Sequence, residues 1–278
     1  MKIVISGGLG NQMFQYAFYL AFLEKLKNIS IDTCLYSSYQ IHNGFELERC
    51  FGIMKPYVTS KKWNIFKLRA AMKIKVYPIV HYDPEYYEND IFNKKCLYFY
   101  GYWQSEKYFK IIENKIRSIF TFINIDDINK NMAAEIRSNV SVSVHIRRGD
   151  YLGNKRYSNV CTNEYYKNAI NLILDKIGVN NKILFYIFSD DMKYSEEFIK
   201  KFNIQYKLVN INSNEDSYKD MYLMSNCDHN IIANSSFSWW GAWLNKNANK
   251  IIVAPNKWFN ECSSEKYKDI IPEDWIKL

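Results

Sequence analysis

The sequence predicts an α/β protein whose second half forms a doubly wound, mostly parallel sheet. Two observations carry this prediction. Strand and helix patterns alternate from residue 140 to residue 255, as in sheets whose strands are joined by helical crossovers. The first of these strands, VSVSVHI at 140–146, has apolar residues at every second position. Because side chains alternate between the faces of a strand, this pattern is typical of a strand with one buried apolar face.

The other elements of the second half follow in order. A helical apolar spacing runs from Tyr166 to Ile177, with Thr162 placed to cap the helix, and Asp216 is placed to cap a later helix. The apolar segments ILFYIF (183–188), QYKLV (205–209), NIIAN (230–234) and IIVAP (251–255) complete five predicted strands, and SFSWWGAWL begins another helix.

The first half begins with a strand at Ile3–Ile5, a glycine turn, a helix and a second strand around 29–35. Its middle, roughly 40–125, is aromatic and irregular. We therefore predict two α/β domains, residues 1–137 and 138–278.

Composition narrows the class of protein. The chain has 278 residues, 48% of them hydrophobic, and a formal charge of +8. The charge allows a nucleic-acid surface or a basic site for a small phosphorylated ligand; the scattered lysines favour the latter. Six cysteines without a C-x-x-C pair predict reduced thiols. We expect a cytoplasmic protein, because no signal peptide or membrane-spanning run is evident.

The glycine turn lies in GGLGNQMFQYA, residues 7–17. Gly8-x-Gly10 begins like a dinucleotide fingerprint, but Met13 stands where the third glycine would be, and no P-loop follows. Gly8 and Gly10 could still let a ligand approach the backbone, and Asn11 and Gln12 would lie on the first helical turn, where free N–H groups favour anions. The alternative is that the glycines only pack strand against helix, with Asn11 as the cap.

HIRRGDY, residues 145–151, follows the first strand of the second half. His145 lies on the face opposite Ile146, and Arg147 and Arg148 emerge past the strand end. Arginine binds phosphate oxygens in a bidentate way. One arginine could bind a diphosphate while its neighbour pairs with Asp150. A surface salt-bridge cluster is the alternative.

Two more polar clusters end strands. In SDD, residues 189–191, adjacent carboxylates point to opposite sides, and the chain has no D-x-D metal motif. One carboxylate is expected to accept from a base or sugar, the other to cap the next helix. In NSSFSWWGAWL, Asn234, Ser235 and Ser236 lie where a helix N-terminus suits a phosphate. The tryptophans at 239, 240 and 243 are predicted core residues.

Taken together, GGLGNQMFQYA, GYWQSEKYF, HIRRGDY, FSDD and NSSFSWWGAWL resemble glycosyltransferase family 11, the α-1,2-fucosyltransferases. The resemblance implies a GT-B type fold, in which two Rossmann-like domains face a cleft. It implies an N-terminal acceptor-side domain and a C-terminal GDP-fucose-binding domain. It also implies inverting transfer of fucose to the 2-hydroxyl of a galactoside, with no metal and no cofactor.

The resemblance further implies catalytic roles. Arg147 matches the arginine expected on the GDP diphosphate, and Asn11 matches an asparagine near the reacting centre. No general base is identified. Asp150 is a candidate, although a salt-bridged carboxylate is a weaker base, and a loose transition state would need little base assistance.

The remaining residues of the implied site bind the nucleotide. His145 is expected to line it, and Asp190 or Asp191 to contact guanine or ribose. Ser235 and Ser236 correspond to hydroxyls that bind phosphate.

Two alternatives stay open: another nucleotide-sugar glycosyltransferase, or a non-catalytic basic binding module. The expected partners are GDP-fucose and a galactose-containing glycan, without nucleic acid. The composition is typical of an AT-rich bacterial genome, which favours surface-polysaccharide synthesis. A basic face could also dock on the inner membrane near a lipid-linked acceptor. Tyr86, Tyr87, Tyr102 and Trp103 could form a sugar-stacking platform or simply pack in the core.

Overall fold

The protein divides into two compact units. A computed structural model describes residues 1–26, 28–37, 43–55, 79–178, 182–260 and 264–278. The first unit is Met1–Asn124 with Lys268–Ile270, and the second is Ile125–Tyr267 with Ile271–Leu278. The sequence places the division at 137/138, whereas the second unit of the structure begins at Ile125. The helix Asp127–Arg137 accounts for this difference, because its buried Ala133 and Ile136 belong to the core of the second unit.

The first unit is built on a four-stranded sheet of order β2-β1-β4-β3, and every strand pair among its described residues is parallel. The strands β1 and β2 confirm the two predicted near the N-terminus. The strands β3 and β4 lie in the segment predicted to be irregular, so that prediction is wrong there. The elements are β1 Lys2–Val4, α1 Leu9–Lys25, β2 Ser30–Asp32, α2 Leu47–Phe51, β3 Val80–Tyr82, β4 Tyr98–Tyr100 and α3 Glu113–Ile119, with 3-10 helices at Cys34–Ser37, Ile91–Asn93, Glu106–Tyr108 and Lys110–Ile112.

Aromatic rings form much of the core of the first unit. The Phe18 ring of α1 stacks on the ring of Trp103 with 4.3 Å between centroids. Phe22, one turn later, packs on Phe99 of β4. Trp103 is fully buried, which confirms packing over sugar stacking for this residue, whereas Tyr102 is 39% exposed. These described rings therefore fill space between α1 and the sheet.

The second unit contains a six-stranded sheet of order β10-β9-β8-β5-β6-β7, with all described strand pairs parallel. The five predicted strands are confirmed, and β10 was not predicted. The elements are α4 Asp127–Arg137, β5 Val140–Ile146, α5 Asn163–Ile177, β6 Ile183–Ser189, α6 Met192–Ile199, β7 Gln205–Leu208, α7 Tyr218–Ser225, β8 His229–Ile231, α8 Ser236–Leu244, β9 Ile252–Ala254 and β10 Ile276–Lys277, with 3-10 helices at Gly149–Tyr151, Asn214–Asp216 and Ser264–Lys266.

The two faces of this sheet carry different side chains of β5. Val142, Val144 and Ile146 are buried in a core that includes residues of α5 and α6. Ser143 and His145 point to the opposite face, as strand alternation requires. The α/β class with parallel sheets is thus confirmed in both units, while the facing of the two domains across a cleft stays a prediction.

Helix caps test the local predictions. The Thr162 side chain accepts a hydrogen bond from the backbone N–H of Tyr165 at the start of α5, as predicted. Asp216 does not cap α7, because that helix begins after Ser217. The Asp216 carboxylate instead pairs with Lys219 at 2.8 Å.

The remaining expectations concern packing and thiols. Trp239, Trp240 and Trp243 of α8 are buried, which confirms them as core residues. None of the five described cysteines takes part in a disulfide bond, and Cys262 lies outside the described residues. Within the described ranges, no helix is both long enough and apolar enough to cross a bilayer.

Candidate functional site

The carboxyl ends of β5 and β8 form the topological switch point of the second sheet. These strands are neighbours, but β5 connects through α5 to β6 on one side, whereas β8 connects through α8 to β9 on the other. Opposite crossovers leave a crevice beyond the ends of the two strands, where open α/β sheets bind ligands. The turn 147–150 and the turn 232–235 therefore flank the expected ligand position.

Arg147 is held in this crevice by two carboxylates. Its Nη2 lies 2.7 Å from Asp150 Oδ1, and its Nη1 lies 2.9 Å from Asp190 Oδ2. A guanidinium has five N–H donors in a fixed plane, so two ion pairs fix its orientation while other donors stay available. The sequence predicts that one of the two arginines pairs with a protein carboxylate such as Asp150, and Arg147 does so. Diphosphate binding by an arginine stays a prediction.

Arg148 has a different environment. Its guanidinium carbon lies 3.5 Å from the centroid of the Tyr194 ring, and its Nε lies 3.4 Å from Asp191 Oδ2. Asp191 also accepts a hydrogen bond from the backbone N–H of Tyr194 and so caps α6. The prediction that one carboxylate of SDD caps the next helix is confirmed. Arg148 is thus bound to the α6 side of the strand end.

Asp190, which follows β6, contacts both arginines that follow β5. Besides its bond to Arg147, it accepts the backbone N–H of Arg148 at 2.8 Å. A Cβ on Gly149 would lie 2.7 Å from Asp190 Oδ2, so any side chain there would have to displace this carboxylate. This contact explains the glycine in HIRRGDY. Asp190 and Asp191 both have protein partners, and their contact with guanine or ribose stays a prediction.

His145 is buried beside this cluster. Its backbone carbonyl accepts a hydrogen bond from the Tyr166 hydroxyl, and its ring centroid lies 6.0 Å from that of Phe237 in α8. Among the described residues, none bonds to its buried Nδ1. Burial, together with the nearby charge of Arg147, lowers the pKa of His145 to about 4. The imidazole is therefore neutral at physiological pH.

Asn234 connects the turn after β8 to two other segments. Its Nδ2 donates to the backbone carbonyls of Tyr157 and Trp258, and its Oδ1 lies 3.5 Å from the Cys161 thiol. These contacts occupy both ends of the side-chain amide. The structure thus gives Asn234, a predicted ligand-binding residue, a role in holding the surrounding loops.

The start of α8 carries the two predicted phosphate-binding serines. Ser235 caps the helix, because its Oγ accepts from the backbone N–H of Phe237. Ser236 is half-buried on the first turn. Free backbone N–H groups and the helix dipole favour an anion at this place. The serines therefore lie where the sequence analysis expected them, at the carboxyl end of β8.

Tyr151 links the two sides of the crevice, and the sequence analysis assigned it no role. Its hydroxyl donates to the backbone carbonyl of Asn234 at 3.1 Å, and Arg147 lies 5.5 Å from its ring. Burial raises its pKa, so the hydroxyl remains a donor. The only signal in the sequence was its place at the end of HIRRGDY.

Asp220 is a second residue that the sequence analysis missed. It lies on the first turn of α7, which begins beyond the carboxyl end of β7. Its Oδ1 accepts from Asn212 Nδ2 at 2.8 Å, and burial raises its pKa to about 7. A half-buried carboxylate with a perturbed pKa, at the edge where open α/β sheets bind ligands, is a functional candidate. No sequence pattern distinguishes it from an ordinary helix-surface aspartate.

The first unit holds the predicted residues Gly8, Gly10 and Asn11. Gly8 is the N-cap of α1, and Gly10 is a buried residue within the helix. The glycine required by geometry is Gly7, whose φ is +78° and whose Cβ would lie 3.0 Å from Asn11 Nδ2. The strain of the turn is therefore at Gly7, a position that the sequence analysis did not single out.

The polar side chains after Gly10 have two different environments. Gln12 is fully buried; it donates to the carbonyls of Gly7 and Gly44 and accepts from the Glu46 N–H. It therefore holds the backbone of this unit together. Asn11 is half-buried and accepts a hydrogen bond from Gln104. The predicted site residues thus form two clusters, one at the strand ends of each unit.

Two α/β units with polar clusters beyond their parallel strands are typical of a ligand-binding α/β enzyme. The model of glycosyl transferase family 11 matches residues 1–278, and the chain belongs to that family. The family named from the motifs is therefore confirmed.

The relatives of the chain are also glycosyltransferases. An alpha-1,2-colitosyltransferase of Escherichia coli is 37% identical over all of this chain and 99% of its own length. The O-antigen biosynthesis glycosyltransferase WbnK of Escherichia coli is 34% identical over the full length of both. Among solved structures, POFUT1 in complex with GDP has a TM-score of 0.48 and 15% identity, over 90% of this chain and 97% of that one.

Proposed function

We propose that this protein is an inverting α-1,2-fucosyltransferase, which transfers L-fucose from GDP-fucose to the 2-hydroxyl of a galactoside without a metal ion. The observation that carries the proposal is the Arg147 guanidinium, fixed by two carboxylates at the switch point of the second sheet. A role in surface-polysaccharide synthesis is supported by the O-antigen relative at 34% identity.

Arg147 would stabilise the leaving group. Cleavage of the sugar–phosphate bond develops negative charge on GDP, and fixed donors stabilise such charge without reorganising. The ion pairs of Arg147 with Asp150 and Asp190 provide that rigidity. The Ser236 hydroxyl and the N–H groups of α8 would add neutral donors. Loss of one such donor typically lowers kcat about 100- to 1,000-fold.

Two groups of the second sheet, the buried His145 ring and the half-buried Asp220 carboxylate, would bind the nucleoside. The neutral His145 ring offers an orphaned nitrogen, and Asp220 offers a carboxylate that can accept base N–H groups. His145 lies near the carboxyl end of β5, and Asp220 follows β7 in the same sheet. Their chemistry favours a base with N–H donors, such as guanine.

Asp150 is better suited to position Arg147 than to act as base. Its Oδ1 is engaged by the guanidinium at 2.7 Å, and a paired carboxylate attracts a proton less strongly. The acceptor hydroxyl would then attack through a loose transition state with little base assistance.

The test is release of GDP from GDP-fucose in the presence of methyl β-galactoside. We expect transfer by the wild type, at least a 100-fold loss of kcat/KM in Arg147→Ala, and wild-type rates in Lys200→Ala, which removes an exposed cation elsewhere. Transfer should persist in EDTA. Folded protein that neither binds GDP nor transfers fucose to any β-galactoside would refute the proposal, and loss of transfer in EDTA would refute its metal-free form.

A second donor sugar has specific support. The relative with 37% identity is an alpha-1,2-colitosyltransferase. Competition between GDP-fucose and GDP-colitose separates the two candidates by the ratio of their kcat/KM values. If UDP displaced a bound nucleotide better than GDP, a different nucleotide sugar would be the donor.

We further propose that the protein acts at the cytoplasmic face of the inner membrane as a peripheral protein. The formal charge of +8 supports attraction to anionic lipid. Flotation with anionic vesicles should show binding that disappears at high salt, whereas neutral vesicles should bind none. Equal binding to both, or binding to neither, would contradict this proposal.

A further inference from the structure

Two of the sequence motifs meet at the strand ends of the first unit. GGLGNQ follows β1, and GYWQ follows β4. The strands β1 and β4 are parallel neighbours, with Ile3 opposite Phe99. Their carboxyl ends therefore bring Asn11 and Gln104 together, although 93 positions separate them.

A single hydrogen bond orients both amides. Gln104 Nε2 donates to Asn11 Oδ1 at 2.8 Å. This leaves Asn11 Nδ2 as a donor and Gln104 Oε1 as an acceptor, and within the described segments neither atom has a protein partner. Both residues are half-buried. The pair therefore presents a donor and an acceptor side by side.

The Tyr102 ring lies next to this pair. Its Cε1 is 3.3 Å from the position that a Cβ of Gly7 would occupy, the same position that lies 3.0 Å from Asn11 Nδ2. The ring and the amide thus share the space that the missing side chain of Gly7 leaves open. Any larger residue at Gly7 would displace one of them.

The backbone after β4 is rigid at this point. The half-buried Asp83 carboxylate accepts the N–H groups of Tyr102 and Trp103 at 3.0 and 2.6 Å. Trp103, with a φ of +56°, is fully buried against Phe18. Because the Trp103 side chain is held in the core, the side chain of its neighbour Tyr102 lies at the surface, where it is 39% exposed.

The chemistry of the cluster fits a neutral polyhydroxylated ligand. An amide donor and an amide acceptor match adjacent sugar hydroxyls, and an exposed aromatic ring matches the apolar face of a sugar ring. Asp83, the nearby acid, is engaged by backbone N–H groups. Neither amide carries charge, so the cluster offers an anion no ionic attraction.

We propose that Asn11, Gln104 and Tyr102 form a subsite for a neutral hexose. This inference rests on the proposed function in so far as that hexose is the acceptor sugar. Gln104 then has two roles: its Nε2 fixes the Asn11 amide, and its Oε1 accepts from a sugar hydroxyl. Tyr102 supplies the stacking surface.

The experiment measures sugar binding directly and transfer separately. Saturation-transfer NMR uses the methyl glycosides of β-galactose, β-glucose and β-N-acetylglucosamine as probes, with GDP titrated into the same samples. The variants are Gln104→Glu, which has the same shape but cannot donate to Asn11, Tyr102→Ala and Tyr102→Phe. Gln205→Glu, on an exposed residue of the second unit, is the matched control, and thermal unfolding verifies that each variant is folded.

We expect one of the glycosides to bind the wild type. Gln104→Glu and Tyr102→Ala should weaken that binding, and raise the acceptor KM, by about tenfold, the loss of one or two contacts. Tyr102→Phe, which keeps the ring, should bind the glycoside more tightly than Tyr102→Ala. Gln205→Glu should match the wild type, and the GDP affinity should stay within twofold throughout.

Two results would overturn the subsite: no binding of any of the three glycosides to the wild type, or binding that Gln104→Glu and Tyr102→Ala both leave unchanged. A failure of the proposed function would be seen separately, as absence of GDP binding in the same samples.

Discussion

The Tyr151 hydroxyl donates a hydrogen bond to the backbone carbonyl of Asn234 at 3.1 Å and so joins the turn after β5 to the turn after β8. These turns carry Arg147 and the two serines of α8. Because each turn belongs to a different strand, their separation depends on contacts across the switch point. Tyr151 provides such a contact beside Arg147.

Replacement of Tyr151 by phenylalanine should therefore separate positioning from chemistry. The variant keeps the ring but leaves the Asn234 carbonyl without this donor, which should lower the free energy of unfolding by about 1–3 kcal/mol. We expect weaker GDP binding together with a lower kcat, measured by calorimetry and transfer assays. Tyr206→Phe, on the half-buried strand β7, is the control. Unchanged GDP affinity in Tyr151→Phe would show that the bond does not hold the two turns.

The contact of Gly149 with Asp190 predicts a strong coupling between the two residues. A Cβ at Gly149 would lie 2.7 Å from Asp190 Oδ2, so Gly149→Ala should displace the carboxylate and disturb Arg147. We expect Gly149→Ala to weaken GDP binding about tenfold alone, and to have little further effect in an Asp190→Ala background. Calorimetric titration of the four proteins gives the coupling free energy. The losses of binding free energy in Gly149→Ala and Asp190→Ala could instead add, within about 0.5 kcal/mol, in the double variant. In that case the contact with Asp190 would not be the reason for a glycine at position 149.

Asp220 predicts a pH dependence of nucleotide binding. Its pKa of about 7 means that the carboxylate is largely protonated at pH 6 and ionised at pH 8. An N–H donor of the base favours the ionised form, so GDP affinity should rise between these values. Asp220→Asn should reduce this rise and leave only the part due to ionisation of the GDP phosphate. An identical pH profile in wild type and variant would exclude Asp220 from the binding site.

Asp220 should also make the stability of the protein depend on pH. Here the direction is opposite to that of GDP affinity, because stability should fall as the pH rises. An unfolded aspartate has a pKa of about 3.9, whereas burial raises that of Asp220 in the folded protein to about 7. Between these values the folded protein retains a proton that the unfolded chain has lost. The contribution of Asp220 to stability should therefore fall as pH rises through this window. Urea unfolding at pH 5 and pH 8 gives the change in the free energy of unfolding between these pH values for the wild type and for Asp220→Asn. We expect the loss of stability on going to pH 8 to be smaller in the variant. An equal loss in both proteins would contradict this prediction.

Gly7 should tolerate no side chain. Its φ of +78° disfavours other residues by about 1–2 kcal/mol, and its Cβ would lie 3.0 Å from Asn11 Nδ2. We expect Gly7→Ala to lower the free energy of unfolding by at least that amount and to perturb the Asn11 amide. Gly153→Ala, where no heavy atom lies within 4 Å of the new Cβ, should change stability by less than about 0.5 kcal/mol. Equal effects of the two substitutions in chemical denaturation would be evidence against a strained turn.

The sequence predicted the second unit better than the first because its strands carry a periodic signal. VSVSVHI alternates over seven residues, and β5 covers the same span. The strands β3 and β4 have three residues each, and so short a segment shows no period. The two residues of β10 pair with β9 but carry no local pattern at all.

The site was predicted where chemistry depends on residue type, and missed where it depends on geometry. Arginine and serine after strand ends predict where a phosphate would bind, and the structure has these residues at the carboxyl ends of β5 and β8. The raised pKa of Asp220 depends on burial, which its neighbours in sequence do not reveal. The glycine that matters among Gly7, Gly8 and Gly10 depends on a backbone angle, which residue type alone cannot distinguish. The bond between Asn11 and Gln104 depends on the adjacency of β1 and β4.

The ion pairs around Arg147 and Arg148 involve more anionic than cationic groups: the carboxylates of Asp150, Asp190 and Asp191 face two guanidinium groups. A small, highly charged competitor such as orthophosphate would approach Arg147 against the repulsion of these carboxylates. It would lack a nucleoside to offset that repulsion. We expect the crevice to reject abundant cellular phosphate for this reason, and to retain a diphosphate only when the rest of the nucleotide anchors it.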